Sequence, residues 1–305
     1  MRLTSRPPAR LRNSVLPTPA AASHGRFWLC ADDYGISPSV SLAIRDLAAR
    51  GRINATSVMV LAPSFHRAEA NALDVLNTNG PRVSIGLHLT LTAPFRPLSQ
   101  AFKPTRDGAF LPLMKMGIEA FLRRLDLAAL VEEIATQLRQ FVDLFGRAPA
   151  FIDGHQHVHL FPQVRDAVLK VAQENAPSAW LRQSGSASSL LEIIRNRKSL
   201  PLDLMSRTFR RRAAAAGVKT NPGFAGAYEF RDDVDFASLF RRFLDRLPDG
   251  SVVMCHPGFV DAELRKLDPL TVLREREYAF FCSDAFPGAL AAHGLVLAPA
   301  SMEPT

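Results

Sequence analysis

Acids and imidazoles gather in four short stretches of this chain. They are Ala31-Asp32-Asp33-Tyr34-Gly35, Gly86-Leu87-His88-Leu89-Thr90, Asp153-Gly154-His155-Gln156-His157-Val158-His159 and Met254-Cys255-His256-Pro257-Gly258. One Asp with two His is a facial ligand set for a divalent cation, leaving positions for water and a substrate oxygen. A cation so held polarises a carbonyl and lowers the pKa of water. A second carboxylate can then take a proton, and a histidine opposite can protonate a leaving group. The Asp32-Asp33 doublet offers one carboxylate for each job if the backbone bends so that both reach one centre; Tyr34-Gly35 gives it a place to bend. Gly86, two residues before His88 on the same face, is expected to leave room beside the ion. His155, His157 and His159 are expected to alternate along one face of a strand over 151–158. Each stretch alone admits a plainer role: the Asp pair could cap a helix, His88 could be a core histidine, and His256 a turn residue. Together they argue for one site.

What positions them is a run of strand and helix patterns. Strands are expected at 27–31, 56–61, 83–89, 151–158, 180–182, 252–256 and 295–298, from short apolar, β-branched runs. Ser37 should cap a helix with Pro38 at its first position, Val40, Ala43, Ile44 and Leu47 on one face and Gly51 at its exit. A second helix is expected over about 64–76. Leu127, Leu130, Val131, Ile134, Leu138, Phe141 and Phe145 recur at threes and fours between Asp126 and Gly146, a strong helix signal. Pro94, Pro97, Pro104 and Pro112 make 92–117 read as a long loop. Repeated strand–helix units imply parallel strands with right-handed crossovers, seven or eight of them in an irregular (β/α) barrel. In such folds reactive residues sit at the C-terminal strand ends, where the four stretches fall.

The 305 residues are 47% hydrophobic and 22% charged, which excludes disordered and collagen-like classes. Three cysteines, Cys30, Cys255 and Cys282, without CxxC spacing exclude a disulfide scaffold and suit a reducing, cytoplasmic setting. The surplus of 37 Lys+Arg over 29 Asp+Glu gives +8. Half of it, Arg2, Arg6, Arg10 and Arg12, lies in residues 1–25, read as a disordered basic tail ahead of one domain over 26–305. More lies between Arg195 and Lys219, within 185–225, read as a basic insertion. With only Phe209 interleaved there and no recognition motif, nucleic-acid binding has little support. Residues 285–302 lack charge, but Pro287, Gly288, Gly294 and Pro299 break the run into a short helix and a strand rather than a membrane span.

The four stretches, in this order and separation, resemble the YdjC-like (ChbG/HpnK) carbohydrate deacetylases, a family similar to NodB-type polysaccharide deacetylases. The resemblance runs from about Phe27 to Pro299. It implies an irregular (β/α) barrel that removes N-acetyl groups from an amino sugar or short chitooligosaccharide, free or lipid-linked, using one divalent ion, Mg or Zn with Mn as an option. It implies Asp33, His88 and His155 as metal ligands, Asp32 as general base, His256 as acid and Arg182 as the arginine that orients the catalytic carboxylate. Asp153-Gly154-His155-Gln156-His157 is closer to the chitooligosaccharide branch than to the hopanoid-associated one. Two alternatives stay open. One is a metal-dependent amidohydrolase or phosphohydrolase using His155 and His157 as an HxH pair. The other is an inactive sugar-binding barrel. Oligomeric state is open, a homodimer included.

Overall fold

The computed structural model describes residues 24–103, 105–186, 200–231 and 233–304. In chain order the main elements are β1 (Gly25–Tyr34), α1 (Pro38–Ala49), β2 (Ala55–Val58), α2 (Arg67–Asp74), β3 (Ser84–Leu89), β4 (Thr105–Arg106), β5 (Ala109–Phe110), α3 (Leu113–Phe121), α4 (Leu127–Phe145), β6 (Phe151–Gly154), α5 (Val164–Asn175) and β7 (Trp180–Leu181). They continue with α6 (Leu200–Ala215), β8 (Phe224–Ala225), α7 (Phe236–Leu244), β9 (Ser251–Cys255), α8 (Leu264–Leu267), α9 (Val272–Cys282), α10 (Ala285–His293) and β10 (Leu295–Leu297).

Seven strands run in the order β7-β6-β3-β2-β1-β9-β8, all pairings parallel, and β10 joins β1. The sheet curls until its ends nearly meet: the Leu181 N–H donates to the Lys219 carbonyl at 2.9 Å, just ahead of β8. The result is an irregular (β/α) barrel. On one edge of β1, β10 pairs with its first residues and β2 with its last. Asn54 fills the gap between them. Its Oδ1 accepts from the Leu29 N–H, and its Nδ2 donates to the Phe27 and Ala298 carbonyls.

Alternation along β1 separates two cores. Phe27, Leu29 and Ala31 face the helices, while Trp28 and Cys30 face the barrel interior with Phe151, Trp180, Phe224 and Met254. The aromatic stack of Trp28, Trp180 and Phe151, with centroids 5.3 and 4.7 Å apart, fills the barrel beneath the site. The outer helices follow their sequence signals. Ser37 caps α1, whose buried face is Val40, Ala43, Ile44 and Leu47. Asp126 caps α4 through the Ala128 and Ala129 N–H groups, and Gly146 ends it in the left-handed region.

Four local expectations are corrected. The strand expected over 151–158 stops at Gly154, and 155–160 form a tight 3₁₀-type turn with left-handed Gln156 (φ 54°) and His157 (φ 57°). The three histidines therefore do not share a strand face. The loop expected over 92–117 contains the β4–β5 hairpin, and α3 begins directly after Pro112, whose fixed φ suits a helix start. Gly86 does not make room for an ion: a Cβ there would lie 2.4 Å from the Phe151 ring, so the glycine admits that ring into the barrel. The bend after Asp32 falls on Asp33 itself (φ 67°), ahead of Gly35. The tail read over 1–25 lies outside the described residues except at its end, as do 187–199 within the basic segment. The described part of that segment includes α6, which buries Phe209 against His159. Among the described residues no helix is long and apolar enough to cross a membrane.

Candidate active site

Alternation along β1 turns Asp32 into the barrel after Trp28 and Cys30, and should turn Asp33 out. The positive φ at Asp33 and the register shift against β2 between Ala31 and Tyr34 turn it back in. Both carboxylates of the doublet thus reach one centre. A left-handed aspartate is uncommon and strained, a cost that surrounding contacts must hold in place.

Asp33 Oδ1 lies 3.2 Å from His88 Nε2 and 3.1 Å from His155 Nδ1. Ligands about 2.1 Å from one ion would be separated by about 3.0 Å in an octahedron and about 3.4 Å in a tetrahedron. The observed spacings fall between, and the three side chains form a buried group whose donor atoms can share one ion. The donor set of one carboxylate and two imidazoles suits a divalent cation. His157 is not part of it: its ring packs edge-on against Phe224 at 5.7 Å. His159 is committed elsewhere, its Nε2 donating to the Arg182 carbonyl at 2.8 Å.

Two of these three candidate donors, His88 and Asp33, are fixed from behind. His88 Nδ1 donates to Asp153 Oδ1 at 2.6 Å, leaving Nε2 for the centre. Burial disfavours the His88 cation, but Asp153 and Asp33 outweigh it and push its pKa up to about 10. Asp33 Oδ2 accepts from Arg274 Nη2 at 2.7 Å, so only Oδ1 faces the two histidines. Burial would raise the Asp33 pKa, yet Arg274 and His155 hold it well below the carboxylate range.

Asp32 lies one layer deeper. Arg182 binds it with both nitrogens, Nη1 to Oδ1 at 2.6 Å and Nη2 to Oδ2 at 2.7 Å, and Ser57 Oγ donates to Oδ1 at 3.3 Å. Arg182 also lies 2.9 Å from Asp153 Oδ2 and over the Phe224 ring. Burial again favours the neutral acid, but Arg182 and His88 keep Asp32 ionised. His256, at the end of β9, faces the same cavity. Its backbone N–H donates to Glu277 Oε2 at 2.5 Å, and its Nδ1 has no hydrogen-bond partner. Burial lowers the His256 pKa against the pull of Asp33 and Asp32.

These groups open onto a cavity of about 540 Å³ lined also by Leu113, Gln156, His157, Phe230, Met254 and the segment 268–273. All six residues singled out in the sequence, Asp32, Asp33, His88, His155, Arg182 and His256, meet at or directly beneath this cavity. Sequence reasoning missed Arg274 and Glu277. Both sit on α9, which carries no motif, and they act on partners more than 20 positions away. Asp153 was legible only as a spare carboxylate; the structure makes it the partner of His88.

The sequence matches the family described as YdjC-like protein over residues 26–292. It is 30% identical over 241 residues to a chitooligosaccharide deacetylase of Citrobacter koseri, covering 77% of this chain and 82% of that one. A crystal structure from Enterococcus faecalis, described as a cellobiose-phosphate cleavage protein, superposes with a TM-score of 0.72 at 22% identity, covering 91% of this chain and 98% of the other. A family 4 carbohydrate esterase from Streptomyces lividans, in complex with acetate, aligns at 10% identity and a TM-score of 0.44 over 92% and 98% of the two chains, too loose a likeness to bear on function.

Proposed function

Since the chain belongs to the YdjC-like family, we propose that it is a carbohydrate deacetylase that releases acetate from an N-acetylated amino sugar or short chitooligosaccharide. The observation that carries this reading is the convergence of Asp33 Oδ1, His88 Nε2 and His155 Nδ1, with Asp32 and His256 on the same cavity. A divalent ion, Mg or Zn, held by Asp33, His88 and His155 supplies Lewis acidity at the acetyl carbonyl and toward water. Arg182 keeps Asp32 ionised and oriented, so Asp32 accepts the proton of the water that attacks the carbonyl carbon. The C–N bond then breaks, and His256 protonates the departing amine. Water is consumed, and acetate and the free amino sugar are the products. Glu277 fixes the backbone of His256, and Asp153 fixes the ring of His88. The 26–305 body acts as one catalytic domain, and the reducing chemistry of its thiols suits the cytoplasm.

The HxH reading has no comparable support, because His157, although it lines the same cavity, packs on Phe224 and is not in the donor group of Asp33, His88 and His155. An inactive sugar-binding barrel has no need of a buried, arginine-held Asp32 next to an unpartnered His256 nitrogen. The test is acetate release from N-acetylglucosamine, its short β-1,4 oligomers and lipid-linked forms, by protein stripped of metal and reloaded with Zn, Mg or Mn. Acetate from at least one of these, dependent on metal, is expected. Silence across the whole series in metal-loaded protein would overturn the reading.

A further inference from the structure

Helix α3 is apolar on two opposite faces. One face, with Met116, Gly117 and Ala120, is buried, Gly117 lying against the Phe161 ring. The other carries Met114 (76% exposed), Ile118 (52%) and Phe121 (57%), continued by Leu122 (53%) at the helix end. These positions follow the i, i+4, i+7, i+8 pattern of a single stripe. Leu127, at the start of α4, adds a further exposed apolar side chain at 46%. A helix apolar all round is expected to be covered on both sides. Here the second side is open apart from the Phe121 ring, whose centroid lies 6.2 Å from that of Phe161.

Cations outnumber acids around the stripe. Lys115, Arg123 and Arg124 are exposed beside it, against Glu119, half-buried on α3, and Asp126, exposed ahead of α4. Arg123 lies 3.8 Å from Asp166, a carboxylate already bonded to Arg212 at 2.8 Å; neither Lys115 nor Arg124 is ion-paired among the described residues. An apolar stripe edged with cations is the pattern of a helix lying in a lipid–water interface. The same edge weighs against a second copy of this chain, since a two-fold contact would gather two such cation edges into one interface. The first residue of α3, Leu113, lines the active-site cavity, so the helix begins at the cavity's rim. Phe230 (44% exposed) and Val272 (46%) are exposed apolar side chains elsewhere on the same lining.

We propose that α3 docks the protein on an anionic lipid surface, with Met114, Ile118, Phe121 and Leu122 entering the headgroup region and Lys115, Arg123 and Arg124 meeting lipid phosphates. Docking does not depend on the deacetylase reading, because it is measured without turnover. Sedimentation with vesicles of phosphatidylcholine containing phosphatidylglycerol is compared with pure phosphatidylcholine, for the full chain and for the double variant Ile118→Glu, Leu122→Glu. Each cation near an anionic surface contributes roughly fivefold in partitioning, so three contribute on the order of a hundredfold. The wild-type protein is expected to bind the anionic vesicles, more weakly at high salt. The double variant is expected to lose at least about tenfold in partitioning while its melting temperature and its turnover of a soluble substrate stay unchanged. Lys115→Glu with Arg124→Glu gives an independent variant with the same expected loss. Absence of vesicle binding by the wild type, or binding by both variants as strong as the wild type's, would overturn the proposal. A wild-type dimer that dissociates in the double variant, without vesicle binding, would also overturn it and assign the stripe to a second copy.

Discussion

Replacing Asp32 by Asn separates the proton acceptor from the metal site. The carboxylate makes two charge-assisted bonds to Arg182, at 2.6 and 2.7 Å, with both groups fully buried. The amide keeps one acceptor oxygen and presents a donor to the other guanidinium nitrogen. Arg182 retains Asp153 Oδ2 at 2.9 Å, so the buried cation is not stranded. Breaking a buried pair costs about 3–5 kcal/mol when the remaining charge is uncompensated. With Asp153 in place the lower end applies, about 3 kcal/mol, or a fall of roughly 5–10 °C in melting temperature for a chain of this size. The variant should therefore be folded at 20 °C. Asp33, His88 and His155 are untouched, so metal affinity measured by competition with a chelating dye should change little. An amide cannot accept a proton, and the loss of a placed general base lowers kcat by about 10²–10⁴. Acetate release at 20 °C with metal-saturated protein measures that loss. Near-normal turnover would refute the role given to Asp32 and move the acceptor to Asp153.

Three further outcomes are expected. Asp153→Asn removes the carboxylate that orients His88, so metal affinity should fall about 10–100-fold in the same dye competition; unchanged affinity would show that His88 is held by other means. Gly86→Ala drives a methyl into the Phe151 ring and should cost about 1–3 kcal/mol in urea denaturation, with the metal-saturated active site intact; a neutral effect would contradict the packing described. Burial pushes the Glu277 carboxyl up to about 7 from an ordinary 4.5, despite the bonds from Tyr228 and His256. An acid whose pKa is raised on folding stabilises the protein below its unfolded value, and the contribution is lost as pH rises through the folded one. The gap corresponds to about 3 kcal/mol. The stability of wild type relative to Glu277→Gln should therefore fall by about that much between pH 4.5 and 8, and a flat difference would mean that Glu277 is not held neutral.

The strand ends were legible because buried parallel strands read as apolar runs, and the reactive residues interrupt those runs at their last positions. Asp32, Asp33, His88 and His256 could be found that way; His155 was expected inside a strand, and Arg182 came only from the family resemblance. The turn after Gly154 could not, because its left-handed residues are Gln156 and His157, where neither a glycine nor an asparagine announces the conformation. The purpose of Gly86 was misread for a different reason. Its constraint comes from Phe151 on the neighbouring strand, and a cross-strand contact leaves no trace in local spacing. Helix α3 was hidden among prolines, one of which, Pro112, marks its start. Arg274 is the extreme case: it sits 241 positions from Asp33 and its charge is spent wholly inside the fold.

The proposed chemistry turns on one centre shared by Asp33, His88 and His155. Anomalous scattering from crystals of the metal-loaded protein, collected on either side of the zinc edge, locates the ion directly. A single ion within about 2.0–2.3 Å of Asp33 Oδ1, His88 Nε2 and His155 Nδ1 is the predicted result. An ion bound through His157, or one held away from Asp33, would contradict it.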